Sequence, residues 1–403
     1  MNRNIAAILK LIRSGLLSEQ CELDGDLDWN YIYQACYRQR ISSIVYQAIK
    51  DNGITVPAEY LRLFQIRTLK DVKTDRDQSR LLDQVFRSFE ENQISYIPLK
   101  GSFIKYLYPK TEFRQMGDAD IYVDYSKCDQ IKIVMEQLGF VADIGTKHHV
   151  HDVWDKKDEL EIELHKAFIG SIYGMNEFFE ARANEAFNAN RSGARADLDI
   201  NDHLIYSVAH LAKHCILGSI SIRNLTDIYI LKDRQGIDPD YLECSLDKIN
   251  LLNFYKVVCK ALDEWFSGSA FSEDSEKLFN RILAVSKEAT ETQAYSVSVF
   301  KDNAGRQNTS FWQKIKYFFR VVFPPFKKMA KHYPVLNKAP VLLPLLYLWR
   351  PFHKLFTSPK SVKRFMKVSV KDTDKSIDKY KNDLKMLGLE KMVSDYERKN
   401  KRA

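Results

Sequence analysis

Met116-Gly117-Asp118-Ala119-Asp120-Ile121-Tyr122-Val123-Asp124 carries the period of a strand. From Asp118 onward, Ala119, Ile121 and Val123 fall on one face, and Asp118, Asp120 and Tyr122 on the other. Side chains two apart on a strand point the same way, so both carboxylates meet one space. Two close carboxylates repel unless a cation lies between them. Mg²⁺ takes a few carboxylate oxygens and completes its shell with phosphate oxygens and water. Asp-x-Asp on a strand edge therefore suits a metal–triphosphate clamp. The same dipeptide also decorates exposed strands, so its meaning depends on its surroundings.

Two neighbouring stretches supply that context. In Leu160-Glu161-Ile162-Glu163-Leu164-His165, Ile162 and Leu164 take one face, and Glu161, Glu163 and His165 the other. If this strand lies beside the first, Glu163 joins the cluster. There it can help hold a metal and take the proton of an acceptor hydroxyl. A solvent-facing edge strand is the competing explanation. Upstream, Lys100-Gly101-Ser102 closes one strand pattern and opens a helix, an arrangement that favours phosphate. Lys100 adds a point charge, and Arg114 is a further phosphate candidate. A surface arginine is the plain alternative for Arg114.

Around these motifs the pattern predicts a small α+β unit. Ile94 to Leu99 reads as a strand and Phe103 to Tyr108 as a short helix stopped by Pro109. Cys128 to Leu138 is an amphipathic helix closed by Gly139. His148 to Asp155 and Leu160 to His165 form two strands joined by a polar turn. Residues 1–92 read as helical, including the apolar spacing of Trp29 to Lys50 and a long charged helix from Glu59 to Asn92. Helices return at Asp202 to Leu217, Ile222 to Asp233, Tyr241 to Phe266 and Glu273 to Ala289. The fold class expected is α+β: a small mixed-sheet core at 93–168, helical regions at 1–92 and 169–300, and a basic, aromatic-rich helical region at 301–403.

The run Pro98-Leu99-Lys100-Gly101, Tyr108-Pro109, Arg114, Met116-Gly117-Asp118-Ala119-Asp120-Ile121, Leu138-Gly139-Phe140 and Ile162-Glu163-Leu164-His165 resembles the bacterial uncharacterised nucleotidyltransferase family. That family belongs to the DNA polymerase β-like nucleotidyltransferase superfamily. The resemblance extends to Tyr37-Arg38 through Tyr46, to His210–His214, to Arg223–Asp227, and to Phe323-Pro324-Pro325, Tyr333-Pro334 and Leu348-Trp349-Arg350. It implies Gly101 and Ser102 at the nucleotide phosphates, and Asp118 and Asp120 as ligands of two Mg²⁺ ions. It also implies a third carboxylate on a later strand, a place that Glu163 fits. One departure is the spacing of Ser102 from Asp118, which is longer than usual across the superfamily.

Bulk properties set the frame. At 403 residues with 45% apolar content, the chain can bury a sizeable core and is not a disordered polymer. Residues 311–403 hold 23 Lys and Arg against 7 Asp and Glu, so this part carries +16, while the chain total is +8 and the first 310 residues carry −8. Such asymmetry marks either a solvated basic face or an anionic partner. The mixture of basic and aromatic residues in Trp312 to Phe326 and Met329 to Phe356 fits, in order, a helical appendage packed through its apolar side, an anionic membrane surface, and nucleic acid. Six scattered cysteines without a Cys-x-x-Cys pair argue against a zinc ribbon, a redox motif or a disulfide-linked partner. Met1 to Gly15 reads as an amphipathic helix, not a signal peptide, and the longest nearly apolar run, Ala339 to Trp349, is too short to span a bilayer. A cytoplasmic location follows as the expectation, at most peripheral to the inner membrane face.

Other signals weigh less. His148, His149 and His151 suit a polar hairpin face better than a ligand set. His210 and His214 have zinc-pair spacing but lack the glutamate of a His-Glu-x-x-His motif, so helix packing or a substrate pocket is the reading. Arg223 and Asp227 read as a helical ion pair. Rossmann, P-loop and hydrolase-elbow motifs are missing. The expected function is transfer of an NMP from an NTP, such as ATP, to an unidentified, hydroxyl-type acceptor. Asp118, Asp120 and Glu163 bind metal, and Lys100, Gly101, Ser102 and Arg114 bind the nucleotide. The rivals are a non-catalytic nucleotide-binding or scaffold module on the same fold, placed at a membrane surface, and a metal-dependent phosphohydrolase using the histidines.

Overall fold

A computed structural model describes residues 1–143, 150–157, 159–169, 175–189, 193–217 and 220–283, and parts of 323–394. These fall into two compact units. One comprises Met1–Cys215, Ser219–Val285 and Leu387–Met392; the second includes Ser286–Met386.

The first unit opens with four helices: α1 (Arg3–Leu17), α2 (Trp29–Gln39), α3 (Ser42–Asp51) and α4 (Ala58–Glu91). The helical spacing read from Trp29 to Lys50 is carried by two helices, with the chain turning between α2 and α3. Arg40 takes a left-handed φ of 55°, and Ile41 N–H donates back to Cys36 O at 3.0 Å. This is a C-cap made without glycine, where backbone hydrogen bonding outweighs the steric cost. Helices α1 and α3 pack closely because Gly15 has no side chain. A Cβ there would lie 2.4 Å from the Ile44 carbonyl oxygen and 2.9 Å from Ile44 Cγ2. Gly15→Ala is expected to cost about 1–3 kcal/mol by overpacking. Urea unfolding should show a lower midpoint with an unchanged slope.

The sheet follows, built from β1 (Tyr96–Pro98), β2 (Ala119–Val123), β3 (Val141–Ala142), β4 (His151–Lys156) and β5 (Leu160–His165). Its spatial order is β1-β2-β5-β4-β3, with β2 and β5 parallel and the other pairs antiparallel. Between β1 and β2 lie α5 (Gly101–Ile104) and two 3₁₀ turns; α6 (Cys128–Gln137) crosses back before β3. Gly139 ends this crossing at φ +83°, the left-handed position that the sequence pattern anticipates.

Ala119, Ile121, Val123, Ile162 and Leu164 form one core with Leu81, Leu82, Val85 and Phe89 of α4 and Ile131, Val134 and Met135 of α6. The alternation read from Asp118 to Asp124 and from Leu160 to His165 thus turns the apolar face inward against two helices. The opposite face is left to the ionisable residues.

Among the described residues, six helices follow: α7 (Asn176–Ala189), α8 (Ile200–Leu217), α9 (Ile222–Lys232), α10 (Pro239–Lys248), α11 (Leu252–Ser267) and α12 (Glu273–Ile282). The single helix expected from Tyr241 to Phe266 is in fact two. Asn250 adopts φ 60° and Leu251 N–H donates to Leu246 O at 2.8 Å, a turn that asparagine tolerates. The chain is therefore α+β, with a five-stranded mixed sheet flanked by helices.

In the second unit, Met329, Ala330 and Leu336 form a small core beside α13 (Leu343–Thr357). Leu345, Leu348 and Trp349 of α13 are exposed. The polar stretch from Glu291 to Ser310, His148 and His149, and most of Trp312 to Phe326 lie outside the described residues. Among those described, no helix is long and apolar enough to cross a membrane.

Candidate active site

The parallel pairing of β2 with β5 puts Ala119 opposite Ile162 and Asp120 opposite Glu163. It brings both acidic strands to one sheet face. Ligand oxygens of Asp118, Glu161 and Glu163 lie within 4.8 Å of one another. Glu161 is a member that sequence reasoning left unassigned, although its i−2 spacing from Glu163 placed it on the same face. Burial, then Asp120, raises the Asp118 carboxyl above the ordinary range. Burial, then Asp118 and Glu163, raises that of Glu161. Mutual repulsion of this kind is what a divalent cation relieves.

Asp120 stands apart from that trio. It is 3% exposed, yet it accepts from Lys100 Nζ at 2.5 Å and faces His165 Nε2 at 2.9 Å. Burial alone would raise its carboxyl, but Lys100 and His165 hold it well below the usual range. The two aspartates, equivalent in sequence, thus differ in charge environment. Glu163 is also lowered: burial opposes ionisation, but His165, Lys100 and His151 together outweigh it.

Lys100 sits at a strained turn, with φ 45° and ψ −123°. The turn is stitched to the sheet, because Leu99 N–H donates to Asp120 O at 3.0 Å. Ser102 N–H and Phe103 N–H donate to Leu99 O and Lys100 O at 3.0 and 3.1 Å. Ser102 Oγ is a buried hydroxyl without a partner. Gly101 is required by Met116, whose Cγ would lie 2.8 Å from a Cβ there.

The structure places Arg114 in another setting. Its guanidinium is buried and forks onto Asp227 at 2.7, 2.9 and 2.8 Å, while Nη1 donates to Gln115 O at 3.0 Å. Tyr108 Oη also donates to Asp227 at 2.7 Å. The expected helical pair of Arg223 with Asp227 is therefore replaced by a long-range one. Arg223 instead donates to Gln115 O, and burial lowers its pKa to about 9. Geometry favours the exchange, since Arg114 offers Asp227 a bidentate fork.

Helix α8 carries a further ionisable group. The His210 and His214 rings meet edge-on at 4.3 Å, and burial lowers both pKa values, that of His214 to about 4. Lys213 is lowered by burial and then by Lys100, and it feels Glu163, Asp120 and Asp118. His203 stacks on Phe103 at 3.7 Å, and burial lowers it to about 4. A depressed histidine pKa means that the folded chain binds fewer protons than the unfolded one between about pH 6.5 and 4. Stability is therefore lost as pH falls through that window. Urea midpoints at pH 7 and pH 5 should separate by less in His203→Phe, which keeps a ring on Phe103 but does not titrate.

Beside Gly117 lies a cavity of about 400 Å³, lined by Tyr37, Arg38, Arg40, Arg67, Asp71, Gln115 and Met116 among others. Gly117 lets Arg40 approach, since a Cβ there would meet Arg40 Nη1 at 2.4 Å. Gln115, on the cavity wall, accepts from Arg67 Nη2 through Oε1 at 3.2 Å, and its amide faces the Asp71 carboxylate.

A helix-flanked mixed sheet with crowded carboxylates on adjoining parallel strands is consistent with a nucleotidyltransferase core. The chain belongs to the family described as "Uncharacterised nucleotidyltransferase", whose model matches residues 25–267, well over half of its length. General nucleotidyl transfer with an NTP substrate is the activity that membership supports. No curated protein and no solved structure matches the chain.

Proposed function

We propose that this protein moves an NMP from an NTP to a hydroxyl acceptor, using the carboxylates on β2 and β5 with Mg²⁺. The observation that carries this reading is the convergence of Asp118, Glu161 and Glu163 within 4.8 Å on one sheet face. Their raised or opposed ionisation and the orphaned Ser102 hydroxyl fit a cation with a phosphorylated substrate. Asp118, Asp120 and Glu163 hold the metal ions, with Glu161 beside them. When bound, two Mg²⁺ ions supply charge neutralisation at the attacking and leaving oxygens. Ser102 Oγ donates to a phosphate oxygen. Lys100 keeps Asp120 ionised and its turn rigid, and Lys213 adds a positive charge from α8. Glu163 takes the acceptor proton. The cavity beside Gly117 receives part of the substrate.

Arg114 stays in the nucleotide's neighbourhood through Gly101, where an added Cβ would lie 3.5 Å from Arg114 Nη1. Its work there is to hold the turn, since its fork is engaged by Asp227. Incubation with each α-labelled NTP and a cell extract, with and without Mg²⁺, tests the proposal. Magnesium-dependent label on an acceptor fraction is expected. Magnesium-dependent NTP binding with no labelled product would favour the scaffold alternative.

A second reading concerns location. Exposed Leu345, Leu348 and Trp349 on α13, in a region carrying +16, support peripheral contact with an anionic membrane. Flotation with anionic but not zwitterionic vesicles is expected, weakened by salt and by Trp349→Ser. Binding to nucleic acid instead would overturn it.

A further inference from the structure

The same sheet face holds a second constellation, of different chemistry. His151 and His165 are cross-strand partners on β4 and β5, and Glu163 lies two residues before His165, so all three project from one face. One ligand atom from each lies within 4.8 Å of the others. His151 Nε2 is 3.4 Å from Glu163 Oε1, and His165 Nε2 is 3.4 Å from Glu163 Oε2. Charge-assisted hydrogen bonds draw such atoms to about 2.7–2.9 Å. Ligands about 2.0–2.1 Å from a tetrahedral metal lie about 3.3–3.4 Å apart. The two edges match the metal spacing and exceed the hydrogen-bond spacing.

The tautomer supports this. His165 Nδ1 faces the Ala167 carbonyl at 3.3 Å, which places a proton on Nδ1. Nε2 faces Asp120 Oδ1 at 2.9 Å and Glu163 Oε2 at 3.4 Å; in the metal-free protein it donates a proton to these oxygens, and a metal ion bound at Nε2 takes that proton's place. Backbone carbonyls orient metal-binding histidines in this manner. Two imidazoles and one carboxylate favour zinc and similar transition ions over magnesium, which prefers an all-oxygen shell.

We propose that His151, Glu163 and His165 form a transition-metal site that shares Glu163 with the carboxylate cluster. Zinc-class ions bind there with open positions left for solvent. Because one glutamate serves both sites, such an ion competes with magnesium; this last clause rests on the function proposed above, while the metal site itself does not.

Cobalt(II) and zinc titrations of the full chain in magnesium-free buffer test it. One tight site per chain is expected, with intensified cobalt d–d absorption and no thiolate charge-transfer band. His151 is partly exposed, so His151→Gln and His151→Asn should fold, as circular dichroism would verify. Each should weaken cobalt and zinc by at least about a hundredfold. Asp118→Asn and His214→Gln should leave the cobalt spectrum and affinity unchanged. An unchanged cobalt site in both folded His151 variants, its loss in His214→Gln, or no tight binding by the wild type would each overturn the inference. Magnesium-dependent ATP binding, measured separately on wild type and Asp118→Asn, shows whether the proposed function fails or stands independently.

Discussion

Asp118→Ala is expected to abolish label transfer, by at least about a thousandfold, without weakening the fold. Asp118 is a carboxylate crowded by Asp120 and Glu163 and desolvated by burial, so its charge is a cost to the metal-free protein. Removing it relieves that cost and deletes a cation ligand at once. The urea midpoint without metal should stay level or rise. The stabilisation that Mg²⁺ and ATP together give the wild type should vanish. Asp120→Ala makes the contrast. Asp120 is the counter-ion of Lys100 and the partner of His165, both within 2.9 Å. Its loss leaves a buried ammonium unpaired, so both activity and stability should fall. Equal stability losses in the two variants would sink the assigned division of labour. So would retained magnesium-dependent binding in Asp118→Ala.

Asp227→Ala is expected to destabilise the protein by about 3–5 kcal/mol, the usual consequence of leaving one member of a buried ion pair alone. Arg114 and Asp227 are 7% and 3% exposed, and the carboxylate takes three guanidinium contacts as well as the Tyr108 hydroxyl. Replacing both charges, as in Arg114→Met with Asp227→Leu, should recover most of the loss, because the pair's desolvation penalty disappears with it. Urea unfolding of the two single variants and the double variant measures the coupling. If Arg114 acted mainly on phosphate, Asp227→Ala would leave stability intact and change nucleotide affinity alone.

Both pairs of residues mark how far local pattern reaches. Alternation in Asp118 to Asp124 and Leu160 to His165 was legible because the strand period of two sorts side chains by face, whatever the partner strands are. The long α4 helix and the glycine stop after α6 were legible for the same local reason. The break at Arg40 was not, because that turn is closed by backbone hydrogen bonds around a residue without a turn signature; at Asn250 the asparagine did offer a left-handed turn signal, which the surrounding helical spacing masked. Sequence spacing also paired Arg223 with Asp227, whereas Asp227 is taken by Arg114, 113 positions away.

By itself, then, the sequence determined which residues share a face, the family, and an α+β core with its carboxylates exposed to one side. Only the tertiary structure decided the neighbours of each charge. The parallel β2–β5 register set Glu163 opposite Asp120, and β4 brought His151 against His165. The turn at Lys100 gave one aspartate a cation and left the other without that contact. Periodicity is a property of the backbone, available to any local reading. Electrostatic environment is a property of what packs across space, and it turned two like carboxylates into groups with opposite pKa shifts.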